Sequence, residues 1–144
     1  SGANLTGAVL AHANLEGAIA IGASFREANL GKARLARAVF DGCDFSQAML
    51  MHCAFGGTQM RRANFTKAQL LETTWGEADW TGALLAGQVF HRLDLKGMRW
   101  PEADLSACNF IECDLTGVDM HDAQLCPRPT SDAHRQRQRT FTQG

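Results

Sequence analysis

Residues 3–17 read ANLTGAVLAHANLEG, and this stretch contains the rule that the rest of the chain obeys. Leu5, Leu10 and Leu15 stand five residues apart, each with alanine two places before it. Continuing the count gives 25 positions in unbroken phase from Leu5 to Leu125, and 24 of them (all but Ala20) carry a large apolar side chain. All three tryptophans and seven of the eight phenylalanines fall on these centres. Two residues before the centre, Ala occurs fifteen times and Cys four times. Asn or Asp recurs one residue before it, as at Asn4, Asn64, Asp79 and Asp114. Gly recurs two after it, as at Gly7, Gly42, Gly82 and Gly117.

A period of five matches neither the 3.6 of an α-helix nor the 2 of an ordinary strand. It predicts short extended segments, each closed by a turn. The centre and the small residue two before it point inward, and the other three side chains point out. Gly accepts the positive φ of such a turn, and Asn or Asp bonds the nearby backbone. One unit cannot bury its own centre, so units must stack as coils.

The units Ala3-Asn4-Leu5-Thr6-Gly7, Ala13-Asn14-Leu15-Glu16-Gly17 and Ala103-Asp104-Leu105-Ser106-Ala107 resemble the Ala-(Asp/Asn)-Leu-x-x motif of pentapeptide-repeat proteins. The resemblance runs from Ser1 to about Cys126. It implies an all-β fold, a right-handed quadrilateral parallel β-helix (a solenoid) with four pentapeptides in each 20-residue coil. About six coils would make a rod of roughly 30 Å. Folding the sequence at 20 residues places Phe25, Phe45 and Phe65 in one column, Trp80 and Trp100 in a second, and Phe90 and Phe110 in a third. Like sizes stacked on like suit close packing.

The expected division is a β-helix over 1–126 and a polar, basic tail over 127–144, expected to be disordered, where Arg135, Arg137 and Arg139 alternate with Gln. The chain opens already in phase at Ser1-Gly2-Ala3, from which a piece of a longer protein or end-to-end stacking is expected. Gln88, Leu93 and Met98 replace the small inward residue in three successive units and predict a widened coil over 86–100.

With 14 Lys plus Arg against 15 Asp plus Glu, the net charge of −1 excludes nucleic-acid binding by bulk charge. No apolar run approaches the roughly 18–20 residues of a membrane span. No phosphate loop, nucleophile elbow or metalloprotease motif occurs. His12 and His52 share a corner column but stand two coils apart, roughly 10 Å, too far to share a metal. Cys43, Cys53, Cys108 and Cys113 take the inward small position, where a thiol acts as a small hydrophobe, and lack the paired spacing of a zinc site. No catalytic residue, metal or cofactor is expected. Unpaired cysteines point to a reducing compartment, so the expected location is the bacterial cytoplasm, or export by a specialised secretion system.

The outward positions carry more information. The four rows of centres can be named by their first members, Leu5, Leu10, Leu15 and Ala20. Charged residues flanking the centres number three, zero, five and five in these rows. The charge-free Leu10 row presents Val9, Ala11, Met49, Met51, Leu71, Val89 and Ile111, a candidate protein interface. Ile19, Ile21 and Val39 form a smaller patch on the Ala20 row. Charge is polarised as well: residues 1–70 carry 7 basic and 4 acidic side chains, and residues 71–126 carry 3 and 10.

The function expected is a non-catalytic interaction or spacer module within a larger bacterial protein, a secretion-associated component being one option. Its partner would be a protein or an adjacent domain, with end-to-end or face-to-face self-association as further options. Family members that act on DNA gyrase resemble duplex DNA through a long acidic rod and dimerise through a C-terminal element. The chain departs from both traits: Arg34, Arg37, Arg61 and Arg62 interrupt the acidic faces, and no apolar C-terminal helix follows Leu125. DNA mimicry directed at gyrase or topoisomerase is therefore the alternative.

Overall fold

The computed structural model describes residues 1–125; the expected tail lies outside the described residues. Most five-residue units close in a tight turn in which the N–H of the small residue donates to the carbonyl of the preceding centre. Ala8 to Leu5, Ala13 to Leu10 and Ala28 to Phe25 are all 3.0 Å bonds. The turn needs one residue in the left-handed region, and 25 of the described residues take it, with φ between 52° and 76°. Eleven are Gly, and the other fourteen include His12, Lys32, Arg37 and Glu72, none of them β-branched. An exposed unbranched side chain tolerates that conformation at a cost of about 1 kcal/mol.

The recurring Asn or Asp closes the same turn from the side. Asn4 Oδ1 accepts the Thr6 N–H at 3.1 Å, Asp44 Oδ1 that of Ser46 at 2.9 Å, and Asp114 Oδ1 that of Thr116 at 3.0 Å. A short side-chain acceptor one residue before the centre reaches the N–H two residues on, which longer side chains do with less economy.

Coils stack by parallel bridges between residue n and residue n+20, from Asn4↔Ser24 to Asp104↔Gln124. Leu5 N–H donates to Ser24 O at 2.7 Å while Ser24 N–H donates to Ala3 O at 2.8 Å. Most bridges are single. Among the described residues, only β1 (Val89–His91) and β2 (Asn109–Ile111) lengthen into a parallel strand pair, in the register Val89↔Asn109. The centres fill the interior, with Phe25, Leu35, Phe45, Phe55, Phe65, Trp80 and Trp100 at most 1% exposed. Phe25, Phe45 and Phe65 stack in sequence at 4.9 and 5.1 Å, nearly parallel, and Phe90 stacks on Phe110 at 5.0 Å.

The tryptophans depart from the column expectation. Trp80 and Trp100 do not stack directly on each other; both meet Trp75, from the neighbouring row, at 4.3 and 5.9 Å. Trp75 Nε1 donates to Thr73 Oγ1 at 2.8 Å, whereas Trp80 and Trp100 bury Nε1 with no partner.

The inward thiols also have a defined role. Each donates to the carbonyl of a centre 23 residues earlier: Cys43 to Ala20 at 2.8 Å, Cys53 to Leu30 at 3.0 Å, Cys108 to Leu85 at 3.0 Å and Cys113 to Phe90 at 3.2 Å. Burial pushes the Cys43 and Cys53 thiols up to about 11, so they stay protonated at neutral pH.

The coil widening is narrower than the sequence predicts. The ladder lapses at two successive steps, Gln69 to Val89 and Thr74 to Asp94, and resumes at Asp79↔Arg99. Gln88, in a position made for Ala, sends Nε2 to Phe65 O at 3.0 Å and Ala68 O at 3.1 Å. The Ala68 carbonyl is the one that the Val89 N–H would otherwise reach, so the side-chain amide replaces a backbone bond and holds the coils apart. Leu93 continues the wedge. Met98, long and unbranched, lies fully buried without breaking the stack.

Candidate protein interface

The Leu10 row runs the length of the described rod. Because the centre faces inward, its two neighbours must face out, and apolar residues there have no core to enter. Val9 is 82% exposed, Leu71 60%, Val89 56% and Ile111 38%. Ala11 is exposed, while Met49 and Met51 are half-buried. The middle of the row is therefore less exposed than Val9 at one end. The coil separation opens on this same row as a cleft of about 390 Å³ lined by Lys67, Gln69, Leu71, Gly87 and Val89, with Gln88 behind them.

Charged residues border the row at the turn corners. On one side stand His12, Lys32, His52, Glu72, Arg92 and Glu112, where His52 Nδ1 lies 2.9 Å from Glu72 and Arg92 Nε donates to Glu112 at 2.7 Å. The Arg92 guanidinium holds the Glu112 carboxyl below its ordinary range. On the other side the charged residues are Glu27 and Lys67.

Elsewhere basic and acidic groups are interleaved. Glu16 takes Arg34 at 2.7 Å and also pairs with Arg37, and Arg61 Nε donates to Asp41 at 3.0 Å. A groove of about 570 Å³ lined by Ile21, Asp41, Gly42, Arg61, Arg62, Thr81 and Glu102 follows the corner beyond the Ala20 row. In the smaller patch Ile19 is 70% exposed and Ile21 44%, with Val39 half-buried. Leu84, 42% exposed on the Leu5 row, belongs to no patch named from the sequence. An apolar residue at a position that usually holds Asn or Asp was the available signal. Among the described residues, no three His, Cys, Asp or Glu side chains gather to hold a metal, and no helix is long and apolar enough to cross a membrane.

Near the acidic end His121 Nδ1 lies 2.7 Å from Asp119 Oδ1. The hydrogen bond and the charge of Asp119 raise the His121 pKa, and the same contact lowers that of Asp119. A raised histidine stabilises the fold below its unfolded pKa and loses this as pH climbs through the folded value. A lowered aspartate stabilises above its unfolded pKa and loses this as pH falls through the folded one. The pair therefore contributes most between about pH 4 and 6.5. In an NMR titration, Asp119→Asn should lower the His121 midpoint, while Asp122 and Glu102 continue to hold it up; an unmoved midpoint would contradict the contact.

The pentapeptide-repeat family model, in eight copies, matches residues 1–35, 28–66 and 89–126. The chain is a pentapeptide-repeat protein. The stretch without a family match, 67–88, forms one wall of the coil separation. Among solved structures, a trypsin-treated variant of QnrB1, a plasmid-mediated fluoroquinolone resistance protein, is 21% identical. That alignment covers 94% of this chain and 82% of QnrB1 with a TM-score of 0.55. A pentapeptide repeat protein of the Arabidopsis thaliana thylakoid lumen is 19% identical, covering 92% and 72% at a TM-score of 0.49. No curated protein matches the chain. At such identities the QnrB1 likeness speaks for a pentapeptide-repeat β-helix and for nothing beyond the fold.

Proposed function

We propose that this pentapeptide-repeat protein is a non-catalytic interaction module, a right-handed four-sided spiral of about six coils whose Leu10 row binds a protein surface. The observation that carries this reading is a row with no charged side chain beside its centres, on which Val9, Leu71 and Val89 are each more than half exposed. In a stacked rod most outward side chains stand on the walls, so recognition falls to the walls. We further propose that the module works within a larger bacterial protein, in the cytoplasm or in a secretion assembly.

Met51→Asp together with Leu71→Asp should abolish association and leave the far-ultraviolet spectrum and unfolding midpoint near wild type. Both side chains point outward, so the substitutions place charge on the row without entering the core. Quantified co-purification of wild-type and variant chains with their bound proteins is the measurement, and an unchanged set of partners would overturn the reading.

DNA mimicry is the second reading, favoured by the acidic excess of residues 71–126. Against it, Arg34, Arg37 and Arg61 neutralise carboxylates that a phosphate-like array would leave bare. Inhibition of gyrase supercoiling, or its protection from a quinolone, at micromolar protein would restore that reading; no effect removes it.

A further inference from the structure

The corners bordering the Leu10 row carry a pattern that neither corner explains alone. Across the row from Glu27, in the next unit of the same coil, stands Lys32; across from Lys67 stands Glu72. Glu27 and Lys67 are the two charged members of their corner. Lys32 and Lys67 make no ion pair among the described residues, although ion pairs occur along both corners. All four project from turns with φ between 54° and 60°, so their side chains lead away from the rod at its edges.

We propose that the partner of the Leu10 row is a second copy of this chain, bound face to face with the two rods parallel. This rests on the reading of the row as an interface and names its occupant. A two-fold axis lying in the interface along the rod keeps equal heights together and exchanges the two corners. Lys32 then meets the partner's Glu27, and Lys67 meets the partner's Glu72, each contact formed twice. Between them Met51 lies against the partner's Met49, joining the apolar middle of both rows.

The other two-fold arrangement, with the axis across the rods, sets each corner against itself in reverse. At full overlap it brings Lys32 onto the partner's Arg92, and like charges oppose it. One coil step off, it would set Lys32 on the partner's Glu72 and Lys67 on the partner's Glu27; the parallel arrangement is selected because it brings opposite charges together with the two rows fully overlapped. A row of five coil steps, about 24 Å long, sits at the small end of specific interfaces, so dissociation in the micromolar range is expected.

Sedimentation velocity of the full chain over about 1–500 μM should show a reversible monomer–dimer equilibrium. Lys32→Glu and Glu27→Lys, taken singly, should each weaken it about tenfold at low salt, since each sets two like-charged pairs across the two-fold. An equimolar mixture of the two variants should dimerise as the wild type does, because the mixed dimer restores opposite charges at both contacts. Dimers whose charge variants fail to complement would overturn the parallel arrangement. A monomer throughout, with Met51→Asp and Leu71→Asp still abolishing co-purification of another protein, would overturn self-association and leave the interface standing. Dimerisation unaffected by that aspartate pair would overturn both.

Discussion

Phe45→Ala should lower the unfolding free energy by about 3–5 kcal/mol, read from chemical denaturation followed by tryptophan fluorescence. Phe45 is fully buried. Its ring stacks on Phe25 at 4.9 Å and Phe65 at 5.1 Å, and meets Phe40 edge-on at 5.5 Å. Truncation removes the transfer energy of the ring and leaves a void between two aromatic neighbours. In a helical bundle the elements could slide inward to fill part of it. Here the coils on either side are held by the Ser24↔Asp44 and Asp44↔Asn64 bridges, so the column cannot shorten. The loss should therefore fall near the upper end of the range, while Phe45→Leu, which keeps most of the volume, should cost about 1–1.5 kcal/mol. A loss below 1 kcal/mol for alanine would mean that the column carries little of the stability.

The period of five was enough to read this column, because an inward side chain every fifth residue with a 20-residue repeat has one place to go. The turn chemistry was equally open: a side-chain acceptor before the centre and a left-handed residue after it are local demands, and local demands leave local signatures. What the period could not carry was the behaviour of side chains that leave their own row. Trp75 meets both Trp80 and Trp100 of the neighbouring row, a contact between rows that the period does not encode. Likewise, three oversized inward residues marked where the stack would be disturbed without saying how far. Gln88 props the coils because it has an amide to place on two carbonyls, whereas Met98 bends into the core and disturbs nothing. The charge-free row was legible by position, but the half-burial of Met49 and Met51 depends on rotamers that the sequence leaves open. Leu84 escaped notice because it replaces the turn-capping Asn or Asp within a row that is otherwise polar.

Gly76→Ala should destabilise the protein by about 2–3 kcal/mol, against about 1 kcal/mol for Gly97→Ala. The two glycines stand in corresponding turns of adjacent coils, yet Gly76 is unusual. It is the first turn residue that takes positive φ there, at 53°, and Glu77 does not. At Gly97, φ is 66° and a Cβ would meet nothing within 4 Å, so alanine faces only the intrinsic left-handed cost that fourteen other residues already bear. At Gly76 the added carbon would lie 3.1 Å from Gly56 Cα, closer than carbon atoms normally approach. The obstacle is backbone, and the coils beside it are fastened together: Phe55 N–H donates to Thr74 O at 2.8 Å and Thr74 N–H to Cys53 O at 3.0 Å. Relief requires breaking those bonds or tilting the coil toward the neighbouring separation, where Thr74 and Asp94 do not bridge each other. Hydrogen exchange separates these responses. Loss of protection at Phe55 and Thr74 in Gly76→Ala would mean that the lower bonds give way. If both stay protected and the cost matches that of Gly97→Ala, the coil has tilted into the gap, and the Gly56 contact is no barrier.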